Sequence, residues 1–169
     1  GTAILVAGRI NQPQDAERIV ANSSADMCGM TRAMICDPAM PAKAKAGKVD
    51  NIRACIACNQ ACIGHAQLGL PISCIQFPES GRELRFGRRP ETKAPRRVLV
   101  VGGGPGGMKA ASVAAEVGHD VTLWERASRL GGQALLAQGL PHREEFGGII
   151  DNLRGEAERA GVEIIVNRE

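Results

Sequence analysis

The chain has 169 residues, 44% hydrophobic and 23% charged, with a formal net charge of +3; this fits one ordinary globular domain or parts of two. So mild a charge, with no tyrosine, one tryptophan and three phenylalanines, argues against nucleic-acid recognition by base stacking. No apolar stretch is long enough to cross a bilayer and no signal peptide is visible, so cytoplasm is the expected compartment and disulfides are disfavoured there.

The first element is the apolar run "AILVA" at 3–7, read as a strand covered on both faces. A turn follows, then a helical pattern with Ala16, Ile19 and Val20 at i, i+3, i+4. A second strand is expected near 26–30. "DPAMPAKAKAGK" starts a second helix, with proline near its front and Gly47 near its end. Strand, helix, strand, helix is the rhythm of α/β structure. A cysteine segment comes next, then a polar connector, "PESGRELRFGRRPETKAPRR", whose prolines, glycines and arginines mark a domain boundary. Beyond it lie a strand at Val98–Val101, a glycine turn, a helix and the strand "VTLWE". A long helical pattern begins about Arg143, with Phe146, Ile149, Ile150 and Leu153 on one face, and "VEIIV" closes as a third strand. The chain opens on a strand without methionine and stops just after another, so a piece of a longer protein is expected.

The glycine turn reads Gly102-x-Gly104-x-x-Gly107, placed directly after a strand and opening a helix. Gly102 permits the tight turn, Gly104 lets backbone approach a pyrophosphate, and Gly107 lets helix and strand pack closely. The N–H groups at the helix start face the phosphates. Glu125 ends the second strand, about 20 residues on, where an acidic side chain accepts ribose hydroxyl hydrogen bonds.

Four of the six cysteines, Cys55, Cys58, Cys62 and Cys74, lie within "CIACNQACIGHAQLGLPISC", spaced C-x2-C-x3-C-x11-C. A disulfide knot does not suit a cytosolic α/β protein. Zinc accepts four thiolates, but its ribbons pair two tight hooks and only one is present. Three ligands in eight residues with a fourth downstream suit a cuboidal iron–sulfur cluster, although the spacing is not the ferredoxin run. Both metals stay open on spacing alone. Cys28 and Cys36, upstream, read as small buried hydrophobes, and His65 is left outside the ligand set.

With both motifs placed, the chain resembles the iron–sulfur flavoenzymes built on an old-yellow-enzyme-type barrel, the 2,4-dienoyl-CoA reductase and trimethylamine dehydrogenase family. The resemblance is carried by "AGRINQPQDAERIV", "ADMCGMTRAMICDP", "IRACIACNQAC", "GRRPE", "VLVVGGGPGGMKAA" and "LGGQ". It implies an α/β chain in three parts: the last two βα units of an FMN-binding TIM barrel (1–46), a 4Fe-4S segment and linker (47–92), and the N-terminal part of a Rossmann-like FAD- or NAD(P)-binding domain (93–169). Loops after the seventh and eighth strands of such barrels commonly bind phosphate. Gly8, Arg9, Thr31 and Arg32 match the family's FMN-phosphate positions, and Cys55, Cys58, Cys62 and Cys74 match its cluster ligands. Gly106, Glu125, Gln133 and Arg143 match positions that hold FAD, or an ADP remnant in trimethylamine dehydrogenase. "GGQ" rather than "GGH" favours FAD.

The three-residue gap between Cys58 and Cys62 follows the dienoyl-CoA reductases, whereas "ESGRELRFGRRPE" looks like the amine-oxidising branch. The resemblance thus implies an oxidoreductase acting on an enoyl thioester or a methylated amine. Its expected partners are a small-molecule substrate, NAD(P)H or an external electron-accepting flavoprotein, and no nucleic acid or membrane; oligomerisation is left open. The residues that act on substrate would lie in earlier barrel strands, so no catalytic acid or base is expected here. The alternatives are a non-catalytic electron-transfer or nucleotide-binding module and a zinc-stabilised structural module.

Overall fold

The computed structural model describes residues 1–169, which divide into two compact units, Gly1–Arg85 and Phe86–Glu169.

In the first unit, β1 (Leu5–Ala7) and β2 (Met27–Gly29) pair in parallel, Val6 opposite Cys28. Their crossover contains α1 (Pro13–Ala21), with Pro13 in its first turn and an Arg18–Asp15 ion pair along its surface. Proline suits this position because its missing N–H is one the first turn leaves unpaired anyway. Ile4, Leu5 and Met27 are exposed, an apolar surface that a parallel sheet ordinarily buries on both faces.

Two helices follow β2 where one was expected: α2 (Thr31–Cys36) and α3 (Met40–Lys45). Asp37 separates them in an extended conformation, φ −139° and ψ 92°. The cause is Pro38, whose ring disfavours helical backbone in the residue before it. Ala33 and Met40, one from each helix, form a core with Ile52, flanked by Met30, Met34 and Ala44. The buried Asp37 carboxylate ties the same elements together. It accepts from Lys43 Nζ at 2.5 Å, from the Arg53 N–H at 2.9 Å and from the Ala39 N–H at 3.1 Å. The chain leading into the cysteines is therefore anchored on the α2–α3 junction. The segment beyond holds little regular structure: a π turn at Gln60–Gly64 running into α4 (His65–Gln67), and α5 (Glu83–Phe86) after Cys74.

The second unit is a parallel sheet of order β3-β4-β5: β3 (Arg97–Val101), β4 (Asp120–Trp124) and β5 (Glu163–Ile165). The crossovers carry α6 (Pro105–Glu116), then α7 (Ala134–Gln138) and α8 (Gly148–Arg159). Met108, Ala111 and Ser112 of α6 are buried, as are Ile149, Ile150, Leu153 and Ala157 of α8. The small residues let α6 lie close, and Lys109 Nζ meets Glu156 Oε2 at 3.0 Å between α6 and α8. The long helix expected from Arg143 instead begins at Gly148, after a 3-10 turn at Glu144–Gly147. A Cβ on Gly147 would stand 2.1 Å from Gln138 Oε1 at the end of α7. The amide end of Gln138 is flexible and can swing aside, so the main reason is that two successive glycines weaken a helix. No helix is long and apolar enough to cross a membrane.

Candidate functional site

Gly8, Arg9, Thr31 and Arg32, widely separated in sequence, come together at the ends of β1 and β2. They line one cavity of about 350 Å³ with Ile10, Met30, Ile35 and residues of the cysteine segment, Cys62 among them. The loop after β1 turns through two left-handed residues, Gly8 at φ +130° and Arg9 at φ 52°. Gly8 has open space where a Cβ would be. Thr31 opens α2 and Arg32 follows it, so both sit at the sheet's C-terminal edge, where α/β folds bind ligands. Arginine suits an anionic group because its planar fork donates in pairs. The Arg32 guanidinium also donates to Asn59 Oδ1 at 2.6 Å. A residue that the sequence reading passed over thereby joins this cavity to the cysteine loop.

Cys55, Cys58, Cys62 and Cys74 are unpaired thiols, each partly buried. Between the first and third, Ala57 (φ 51°) and Asn59 (φ 56°) adopt the left-handed conformation. Alternating backbone of this kind makes concave nests of N–H groups that hold anions, including iron–sulfur centres. The N–H groups point accordingly. The Cys55 sulfur accepts from Ala57, that of Cys58 from Gln60, and that of Cys74 from Gln76 and Phe77. Burial pushes the Cys55 and Cys58 thiols up, against those backbone bonds and, at Cys55, the charge of Arg32. Cys74 goes the other way. A hydrogen bond with Cys36, then the N–H groups of Gln76 and Phe77, bring it to about 6 in spite of burial. The same bond with Cys74, together with burial, pushes Cys36 up. Cys36 is buried, as the sequence leads one to expect, and accepts a hydrogen bond from Gln76 Nε2 at 3.4 Å. No three His, Cys, Asp or Glu side chains converge closely enough to hold one metal ion.

The glycine turn sits between β3 and α6. Gly102 has φ +106°, which only glycine takes readily. A Cβ on Gly104 or Gly106 would meet open space, so the backbone there is accessible to a ligand. Gly107 is needed for a reason local to the turn. Its Cβ would lie 1.9 Å from the Gly102 carbonyl oxygen and 3.6 Å from Val100 Cγ1, so the turn rather than the strand excludes it. Gly103, which the motif leaves unspecified, is also constrained: a Cβ would stand 2.4 Å from Leu130 Cδ2 and 3.1 Å from Glu125 Oε2. Glu125 holds this turn directly. Its Oε2 accepts from the Gly103 N–H at 2.6 Å and its Oε1 from the Ala127 N–H at 2.7 Å. Those two bonds, that from Ala127 first, hold its carboxyl below the usual range.

"LGGQ" packs on the same turn. Gly131 donates its N–H to the Gly103 carbonyl at 2.8 Å, and a Cβ on Gly132 would lie 3.2 Å from Gly104 Cα. Gln133 is exposed at the start of α7. Arg143, also exposed, carries its guanidinium 5.1 Å from the centre of the Phe146 ring.

Comparison with known proteins accounts for both units. Residues 1–51 match the NADH:flavin oxidoreductase / NADH oxidase family, and residues 97–160 match the FAD dependent oxidoreductase family. A metal reductase of Desulforamulus reducens is 40% identical over 161 residues, covering 95% of this chain and 24% of that protein. An N,N-dimethylglycine/sarcosine dehydrogenase of Chromohalobacter salexigens is 44% identical over 149 residues, covering 86% of this chain and 21% of that protein. A solved 2-naphthoyl-CoA reductase complex superposes with a TM-score of 0.92 at 33% identity, covering 99% of this chain and 26% of that one. The chain thus spans about a quarter of the length of these relatives. It belongs to the flavin oxidoreductases in which an NADH:flavin oxidoreductase / NADH oxidase domain is followed by an FAD dependent oxidoreductase domain.

Proposed function

We propose that the chain is the electron-relay portion of such an oxidoreductase, holding FMN phosphate at the end of a TIM barrel, a 4Fe-4S cluster in the cysteine loop, and FAD on the Rossmann-like turn. The reading of a cluster is supported by four cysteines gathered in one loop with left-handed Ala57 and Asn59 among them, and by backbone N–H groups that favour the thiolate at Cys55, Cys58 and Cys74. Such groups stabilise thiolates and the net negative charge of a bound cluster. Zinc draws four sulfurs onto one ion, whereas the ligands of a cuboidal cluster stand apart at its corners. Under this reading Gly8, Arg9, Thr31 and Arg32 hold the FMN phosphate. Gly102, Gly104, Gly106 and Gly107 hold the pyrophosphate of FAD, and Glu125 orders their turn and accepts from the ribose. Gln133 and Arg143 are assigned to FAD by the family positions alone. When bound, the flavins supply two-electron chemistry and the cluster single-electron transfer.

The substrate is proposed to be a small molecule, either an enoyl or aryl thioester reduced or a methylated amine oxidised. The relatives include a naphthoyl-CoA reductase and a dimethylglycine/sarcosine dehydrogenase. NAD(P)H or an external flavoprotein would be the redox partner. The test is cofactor analysis of the full-length protein purified anaerobically. About four irons per chain and both flavins are expected; stoichiometric zinc without iron overturns the cluster.

A further inference from the structure

Asn59 lies in the cysteine loop, between Cys58 and Cys62. Its backbone is left-handed, φ 56° and ψ 12°, a conformation asparagine tolerates better than most side chains do. The Gly64 N–H donates to its carbonyl at 2.8 Å and closes the π turn on it. A backbone held in this way gives the side chain a set direction. It meets Arg32, 27 positions earlier, where Nη1 donates to Asn59 Oδ1 at 2.6 Å. Arginine can only donate, so the amide oxygen must face it. One guanidinium N–H is used, which leaves the edge carrying Nε and Nη2 for paired donation to an anion. Arg32 lines the cavity at the ends of β1 and β2, and so do Cys62, Ile63, Ala66 and Ile72. The cysteine segment is therefore a wall of that cavity, and Asn59 reaches from it to the arginine.

We propose that Asn59 is a positioning residue for the flavin phosphate: it holds the Arg32 guanidinium in place and so sets the preference for a phosphorylated flavin over an unphosphorylated one. This rests on the FMN reading above. The physical basis is entropy and charge. A loose arginine samples many rotamers, and ordering it during binding weakens association. A hydrogen bond at one end orders it beforehand. Asparagine does this without a charge of its own. A carboxylate at position 59 would pair with the guanidinium and compete with the phosphate, whose charge is about −1.5 to −2 at pH 7.

The test compares FMN with riboflavin, which lacks the phosphate, as ligands of full-length protein whose barrel site has been emptied of flavin. Asn59→Gly keeps a left-handed backbone accessible and removes only the side chain. It is expected to weaken FMN about tenfold, the scale of one hydrogen bond to a charged group, and to leave riboflavin unchanged. In an Arg32→Ala background the same substitution should have no further effect on FMN. Asn59→Asp, of the same size, should also lower the FMN-to-riboflavin ratio. A ratio unchanged in both Asn59 variants, or an equal loss of both flavins, overturns the proposal and leaves the FMN reading intact. A wild type that binds riboflavin as tightly as FMN overturns both. Where the flavin cannot be exchanged, 31P NMR of the protein as purified decides. A phosphomonoester resonance that moves in the Asn59 variants supports the proposal, and one that stays at the wild-type position overturns it.

Discussion

The two units shape their loops by different means. In the second, the glycine turn is strung between a strand and a helix, with Glu125, Leu130 and Gly131 bracing it. Each brace is supplied by elements that fold for their own reasons. In the first, regular structure nearly ends at α3. The cysteine loop is fixed at its base by Asp37 and Arg53, by Arg32 on Asn59, and by N–H groups turned onto sulfur. One loop is a by-product of its fold, whereas the other is held mainly by polar contacts.

Cys58→Ala should separate the two most sharply. Full-length protein is expected to lose its iron while keeping FMN and FAD, read by metal analysis and flavin absorbance; normal iron content would remove Cys58 from the site. Gly107→Ala attacks the other loop, since the new methyl meets backbone 1.9 Å away. Overpacking of that kind costs about 3 kcal/mol. FAD content and the unfolding midpoint should fall, with iron unchanged; a variant with normal FAD would show that the turn yields easily. Asp37→Asn leaves Lys43 and the Arg53 N–H without their anion. A fully buried pair would lose 3–5 kcal/mol, but Lys43 is 29% exposed, so about 2 kcal/mol is expected by denaturant titration.

The mildest change is Glu125→Gln, expected to weaken FAD retention about tenfold, or about 1.4 kcal/mol. Its sign with pH is fixed. The carboxyl is held below its ordinary value in the folded chain, so its contribution is complete above about pH 4.3 and lost as pH falls through the folded value. FAD release on acidification below the ordinary glutamate value should carry this acid limb in the wild type and lack it in the Gln variant. Identical profiles would leave the carboxylate no role in the turn.

Much of this was legible beforehand. The strands at Leu5–Ala7, Met27–Gly29 and Arg97–Val101 and the glycine turn follow from apolar runs bounded by glycine. The split of α2 from α3 was signalled by Pro38, but the short run Thr31–Cys36 lay between an expected strand near 26–30 and an expected helix from Asp37, and was read as neither. Cys36 reads as packing, and it is buried. Its contact with Gln76, 40 positions on, is set by tertiary structure and was not legible. Asn59 and Gly103 were missed for the same reason: one is needed for a left-handed turn and a distant arginine, the other for the approach of Leu130 and Glu125. The doubled glycine of "LGGQ" did hint at close approach, without saying to what.

The Glu125 bridge has a consequence for how a dinucleotide is received. With both carboxylate oxygens already on Gly103 and Ala127, the turn is closed before any ligand arrives. Ordering a loose backbone costs about 1–2 kcal/mol per residue, and association normally includes that cost. Here folding has met it in advance. Association should therefore run without a slow conformational phase, and a weakened bridge should show first as faster dissociation.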